Sequence, residues 1–331
     1  MIPDIRNKSE IQKYLEVLSF KPASKSLDTL KTSIDKIFDL IISNNAVQVF
    51  FGIFPEENNI VIFMYEEYNE TNQAFINAVE EYEPKIIFYP LETLGGETLS
   101  KPEISMDKRS IDIMVLGGDG LFTEFKVCSV GFWAKAKNEA KTYIVTADHC
   151  RTIPGDETEF VYGAWDEGRT NEFIGSMLPI DFEIYDFGLI DISNMSDSLT
   201  TLPVIRNTDS EQFPLLPINN GTPVSSHGVH LCKSGYITHV TCGFVKVLDF
   251  IYYLQDGIHY SELIMTSMLV RKGDSGGTAF AYSDLNTVIL NGIGTAGIGN
   301  VNSLILPLSI ITEYGDIEPI TTSTLKINFY H

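Results

Sequence analysis

From Ile113 onward the chain is a succession of short apolar runs broken by Gly, Pro, Asn and Asp, and this texture narrows the choice of fold more than any other feature. The runs are Val127 to Ala134, Tyr143 to Thr146, Phe187 to Ile192, Val229 to Lys233, Cys242 to Val247, Tyr260 to Thr266, Thr278 to Ala281 and Val288 to Ile293. Segments this short, set between turn residues, predict an all-β barrel or sandwich. Pro307 to Gly315 reads as a short terminal helix. No internal repeat is visible.

The first part of the chain is different. Leu30, Ile34, Ile37, Phe38 and Ile41 form one stripe at helical spacing within Leu27 to Ser43, and Ser9 to Leu18 has a similar pattern. Val47 to Phe54 and Ile60 to Tyr65 read as strands joined across Pro55-Glu56-Glu57-Asn58-Asn59, a hairpin signal. A helix from Asn72 to Glu81 and a strand from Lys85 to Tyr89 complete a β-β-α-β unit, expected to be a compact domain of its own. Residues 91 to 112, with Gly95-Gly96, Pro102 and scattered charges, read as a linker. The dibasic pair Lys108-Arg109 within it is open to two readings, solvated charge or a processing site. The expected division is therefore 1–112, a small α+β domain with its linker, and 113–331, the β domain.

Chemistry enters with Gly273-Asp274-Ser275-Gly276-Gly277. Peptide-bond cleavage needs an exposed hydroxyl, an imidazole to take its proton, and two N–H groups aimed at the developing oxyanion. Here the glycines let the backbone turn tightly enough for the N–H groups of Gly273 and Ser275 to share one hole. A Ser beside Gly is usually only a turn residue. What changes the weighing is the company it keeps: His149 ends the apolar run Val145-Thr146-Ala147-Asp148-His149-Cys150, and Asp186 opens the strand-like Phe187-Gly188-Leu189-Ile190. The order His, Asp, Ser is that of the chymotrypsin-type triad, and differs from the orders in subtilisins and α/β-hydrolases. In that template Ser275 is the nucleophile, His149 the base and then the acid, and Asp186 the group that holds the imidazole tautomer. Asp274 reads as a structural carboxylate behind the loop.

The formal net charge of −21, with both halves acidic, argues against nucleic acid and anionic membranes as partners. No apolar run approaches the roughly 18 residues of a spanning helix. The four cysteines pair naturally by spacing, Cys128 with Cys150 and Cys232 with Cys242, although in a reducing compartment free thiols would be the usual reading. No Cys-x-x-Cys or His cluster points to a metal, and no cofactor is expected. The start of the chain lacks a secretory pattern, which conflicts with disulfides; a signal removed or left out of this sequence is the favoured resolution, and secretion the expectation.

Cys128-Ser129-Val130-Gly131-Phe132, Thr146 to Cys150, Cys232-Lys233-Ser234-Gly235 running to Cys242-Gly243, and Gly273 to Gly277 resemble, in the right order, the streptogrisin and α-lytic protease branch of chymotrypsin-like serine peptidases. Gly117-Gly118-Asp119 resembles the start of the mature enzyme there, and the resemblance covers about residues 113–315. It implies a double β-barrel and a secreted endopeptidase. It further implies that the α+β domain is a pro-segment, which assists folding and then inhibits the enzyme from within the same chain. Gly292-Ile293-Gly294-Thr295-Ala296-Gly297 matches the family's substrate-binding strand, so backbone groups of Thr295 and Gly297 are expected to pair with an extended peptide, with Ala296 where Gly is usual. Ser267 and Met268 are expected to shape the primary specificity pocket. No acidic residue lies among Thr266 to Val270, so uncharged apolar side chains are the expected substrates, and a monomer the expected state.

Three departures stand out. Asp148 replaces the usual Gly or Ala before the histidine and is expected to point outward, though facing the ring it would raise the imidazole pKa. A Cys usual before the nucleophile loop is replaced near Leu269, and the stretch from Arg151 to Asp186 is long enough to suggest an inserted surface loop. These departures keep open a rival reading, a catalytically silent binding or effector module on the same fold.

Overall fold

The computed structural model describes residues 7–90, 113–180, 182 and 184–325. The linker 91–112 and Lys108-Arg109 therefore lie outside the described residues.

Two sheets make up the body. One, of eight strands, runs in the order Ile317–Pro319, Phe132–Ala136, Thr142–Thr146, Gly188–Asp191, Gly168–Met177, Thr158–Ala164, Gly120–Phe122 and Val127–Ser129. The other has twelve strands and includes His230–Gly235, the long hairpin His239–Gln255 with Ile258–Thr266, and the strands Thr278–Tyr282, Val288–Ile298 and Asn302–Pro307. Strand Thr142–Thr146 shows why its sequence has no polar alternation: Ile144 enters a core with Trp133, Phe160 and Ile174, while Tyr143 and Val145 enter a second, larger core. A strand apolar on both faces is one buried on both faces. The expected inserted loop after Arg151 is not a loop: Thr158–Ala164 and Gly168–Met177 pair with each other within the eight-stranded sheet. Only the short ends around them are irregular.

The first unit follows the same logic. Helix Leu27–Ser43 is capped by Ser26, whose hydroxyl accepts from Thr29 N at 3.0 Å, and buries Leu30, Ile37 and Ile41. Strands Val49–Phe54 and Asn59–Tyr65 are antiparallel, and Lys85–Tyr89 joins the second in parallel. On this small sheet Val49, Phe51, Ile60, Ile62 and Met64 face the helices, while Phe50, Val61 and Phe63 face the main core of the body. Buried Asn72 spans the gap from strand to helix, bonding Val47 N and O at 2.8 and 2.9 Å. At the other end, Ser9 to Leu18 yields helix only over Ser9–Gln12, with no residue of that turn buried. Without a core to meet, its apolar pattern has nothing to stabilise it.

The small sheet is continuous with the body. Val49, Phe50 and Phe51 pair with Tyr253, Tyr252 and Ile251 of the long hairpin, whose turn at Asp256-Gly257 has positive φ at both residues, as hairpin turns of this length favour. Tyr253 sits in the core of the first unit, and the rings of Phe50 and Tyr252 stack at 4.0 Å. Gly52 is required here, since a Cβ would lie 2.6 Å from the Phe250 ring. Among the described residues no helix is long and apolar enough to cross a membrane.

Candidate active site

His149 and Asp186 are carried by adjacent strands. Gly188–Asp191 pairs antiparallel with Thr142–Thr146, Gly188 opposite Thr146, so the turn after one strand and the approach to the other meet at one end of the sheet. Asp186 takes two bonds from the same residue: Oδ2 lies 2.6 Å from the His149 ring Nδ1, and Oδ1 accepts from His149 N at 3.0 Å. The carboxylate side chain is 2% exposed and the imidazole 40%, so the acid is shielded while the ring keeps an open edge. With Nδ1 engaged, Nε2 is the nitrogen left for chemistry. Desolvation at the cleft wall pulls the imidazole pKa down, but the Asp186 charge and its hydrogen bond outweigh it, and the net shift is upward.

Asp148 is held by Arg151, whose Nε and NH2 reach Asp148 Oδ1 at 3.2 and 2.5 Å, and it adds only a minor upward pull on the ring. Lys126 opposes it, with Nζ donating to the carbonyls of His149 and Arg151 at 2.8 and 2.6 Å.

The Ser275 loop is built around a buried carboxylate. Asp274 Oδ1 accepts from Ile237 N and Thr238 N at 3.0 and 2.9 Å; Oδ2 accepts from Thr238 Oγ1 at 2.6 Å, Arg271 N at 2.9 Å and the Lys233 ammonium at 3.0 Å. Both charged side chains are fully buried. A buried charge is tolerable only when paired and saturated with donors, and this one is. Gly235 is the reason the carboxylate fits, because a Cβ there would lie 2.7 Å from Asp274 Oδ1. Gly273 and Gly276 have φ of +100° and +84°, the left-handed region that glycine enters freely. The N–H groups of Asp274, Gly276 and Gly277 are spent on the carbonyls of Arg271, Gly294 and Asp274, whereas those of Gly273 and Ser275 bond no carbonyl among the described residues. Backbone donors left without a carbonyl partner are what an oxyanion needs.

The disulfides Cys128–Cys150 and Cys232–Cys242 are both formed. The first ties the histidine turn to the strand Val127–Ser129; its sulfurs, near the imidazole, are thereby removed as thiolate ligands for a metal.

His149, Asp186 and Ser275 line one cavity of about 320 Å³ together with Thr295, Ala296 and Gly297. Pairing of Val288–Ile298 with Thr278–Tyr282 stops at Ile293, while pairing with Asn302–Pro307 runs on to Ile298. The segment Thr295 to Gly297 thus offers one strand edge to the cavity. Ser267 and Met268 are not brought to it. Met268 is fully buried against Leu231, Val245 and Ala279, and Ser267 Oγ accepts from Phe244 N at 3.0 Å. The wall is instead Val270, Arg271 and Lys272, with Val270 packed so closely on Gly297 that a Cβ there would lie 2.4 Å away. The missed signal was distance along the chain: the residues that end next to Gly273 are those just before it. Also missed was Tyr65 of the first unit, which lines the same cavity, while the Tyr89 ring covers Gly299 beside it.

No family model matches the chain. It is 27% identical to streptogrisin D of Streptomyces griseus over 209 residues, 63% of this chain and 48% of that protein, so the match spans about half the relative's length. Among solved structures, the Nocardiopsis protease NAPase superposes with a TM-score of 0.50 at 19% identity, covering 63% of this chain and all of that one. The chain thus has the chymotrypsin-like fold of that protease, and in sequence it is similar to streptogrisin D.

Proposed function

We propose that the chain is a serine endopeptidase, exported and made as a zymogen, which cleaves peptide bonds through Ser275, His149 and Asp186. The observation that carries the reading is the Asp186 carboxylate on His149 Nδ1 in the cavity that also holds Ser275 and the free edge of Thr295 to Gly297. An extended peptide would add to that edge. Its carbonyl oxygen would sit at the N–H groups of Gly273 and Ser275. His149 Nε2 takes the Ser275 hydroxyl proton as Oγ bonds to the carbonyl carbon; the oxyanion forms at the two N–H groups; the imidazolium returns its proton to the departing amine, leaving an acyl ester on Ser275. Water, activated by the same imidazole, then hydrolyses the ester. No step needs a metal or cofactor.

In this reading residues 1–112 act as a pro-segment and 113–331 as the peptidase. The first unit already lends Tyr65 to the cavity, and its last described strand, Lys85–Tyr89, ends beside Gly299 on the cleft wall. The contact of Tyr65 with the cavity and the pairing of the first unit with the hairpin would together restrain the enzyme until the two parts are cut apart. Val270 and Ala296 offer apolar surface to the side chain before the scissile bond, and Arg271 and Lys272 on the same wall disfavour a basic one. Two disulfides suit an oxidising, extracellular setting, and a monomer suffices for every element of the site.

The test is labelling with a fluorophosphonate probe before and after limited proteolysis within residues 91–112, with Ser275→Ala as control. Labelling that rises on cleavage and vanishes in the variant is expected. Its absence from folded, cleaved protein would instead support the silent binding module.

A further inference from the structure

We infer that the Ser129 hydroxyl is the positioning group that holds the oxyanion loop in its working conformation, an inference that rests on the peptidase reading above. Ser129 is fully buried and reaches across from the eight-stranded sheet to both ends of the donor pair. Its N–H donates to Ser275 O at 2.8 Å, and its Oγ donates to Gly273 O at 2.7 Å. The same Oγ accepts from Tyr236 N at 2.9 Å, so the hydroxyl has one donor and one acceptor and no freedom to turn. Thr146 Oγ1 donates to Ser129 O at 2.9 Å, and the neighbouring Cys128 is bonded to Cys150, next to His149. One short segment therefore fixes the nucleophile loop against the residue that must take its proton.

The side chain matters more than the backbone. Any residue but proline at 129 would keep the N–H bond to Ser275, but the bond to Gly273 O needs the side-chain hydroxyl. Gly273 is the weak point of the loop, because glycine at φ +100° rotates easily and takes its N–H with it. Asp274 N–H, at the other end of the Gly273–Asp274 peptide, donates to Arg271 O at 3.0 Å, and Ser129 Oγ holds the carbonyl end of that same plane, so the peptide is pinned at both ends. The carbonyl held by Ser129 belongs to the Gly273–Asp274 peptide, the plane between the two that carry the Gly273 and Ser275 N–H groups, so fixing it limits the turn of both donors.

The test uses the full chain, cleaved within residues 91–112, as wild type, Ser129→Ala, Ser129→Thr and Ser234→Ala. The last removes a comparably buried hydroxyl, bonded to Arg206 O at 2.9 Å. Expected for Ser129→Ala is a fall in kcat of about 10- to 30-fold, less than the loss of a direct oxyanion donor, with KM within about twofold. A peptide boronic acid, which uses the hole, should lose affinity by a similar factor while a product peptide does not. Ser129→Thr, which keeps the donor, should hold boronate affinity within about threefold, and Ser234→Ala should lower stability with kcat unchanged. The assignment is overturned if Ser129→Ala leaves kcat within twofold, if boronate and product peptide weaken together, or if Ser129→Thr loses as much as Ser129→Ala. Wild-type protein whose Ser275 takes no probe would instead overturn the peptidase reading itself.

Discussion

The two halves of the site are held in opposite ways. On the histidine side a single carboxylate, Asp186, contacts one residue at two points, and the ring keeps an open edge. On the serine side Asp274 collects five donors from three segments and is sealed from water with Lys233. In the proposed reading the difference follows from what each would do. An imidazole that shuttles a proton needs one firm partner and room to change charge, whereas an oxyanion loop works only if its N–H groups do not move. Charge placed to act and charge placed to hold thus differ in how many donors surround it.

This contrast can be broken by substitution. Ser275→Ala should abolish probe labelling and lower kcat by about 10⁶-fold while leaving the thermal midpoint unmoved, since the side chain belongs to neither support. Asp186→Asn should cost about 10⁴-fold in kcat through the wrong imidazole tautomer, yet little in stability, read by urea unfolding. Asp274→Asn should show the reverse weighting. It leaves the Lys233 ammonium buried without its counter-charge, and a loss of roughly 3–5 kcal/mol is expected in the same urea experiment. Equal stability losses in the two variants would erase the distinction between the two supports.

The pH profile sharpens it. Because the Asp186 carboxylate raises the His149 pKa, labelling of Ser275 should climb with pH through a midpoint above that of an ordinary histidine. The linked stability has the opposite sign: the His149–Asp186 interaction contributes fully below the unfolded pKa and is lost as pH rises through the folded one. In Asp186→Asn the labelling midpoint should fall; an unchanged midpoint would mean that Asp186 does not set it. On the serine side burial lowers the Lys233 pKa, with Asp274 opposing, so an alkaline fall in labelling should begin below the ordinary lysine range. Lys233→Arg, which keeps its charge, should move that fall upward.

Much of the fold was readable because strand-forming residues between turn formers leave few alternatives. The run read as Cys242 to Val247 continues as a strand to Gln255: Asp249 breaks the apolar run once, and the far half is held by pairing with Ile258–Thr266 on one side and Val49 to Phe51 of the first unit on the other. The wall of the cleft was expected at Ser267 and Met268, but it is formed by the residues that directly precede Gly273, and Met268 turns into the core. Lys233 and Ser129 lay within motifs that were noticed, but nothing local marks a lysine as buried or a hydroxyl as spanning two sheets.

What the sequence determined by itself was local and chemical: the strand texture, the pairing of Cys128 with Cys150 and Cys232 with Cys242, and the order His149, Asp186, Ser275. Those follow from backbone preference and from the few residue types able to do such chemistry. The tertiary structure alone decided that Asp274 is caged by Lys233 and Thr238, that Ser129 reaches Gly273 from the other sheet, and that Tyr65 of the first unit faces the cleft. These contacts join residues far apart in the chain, and their energy comes from burial and hydrogen-bond geometry, which exist only once the two sheets have closed on each other.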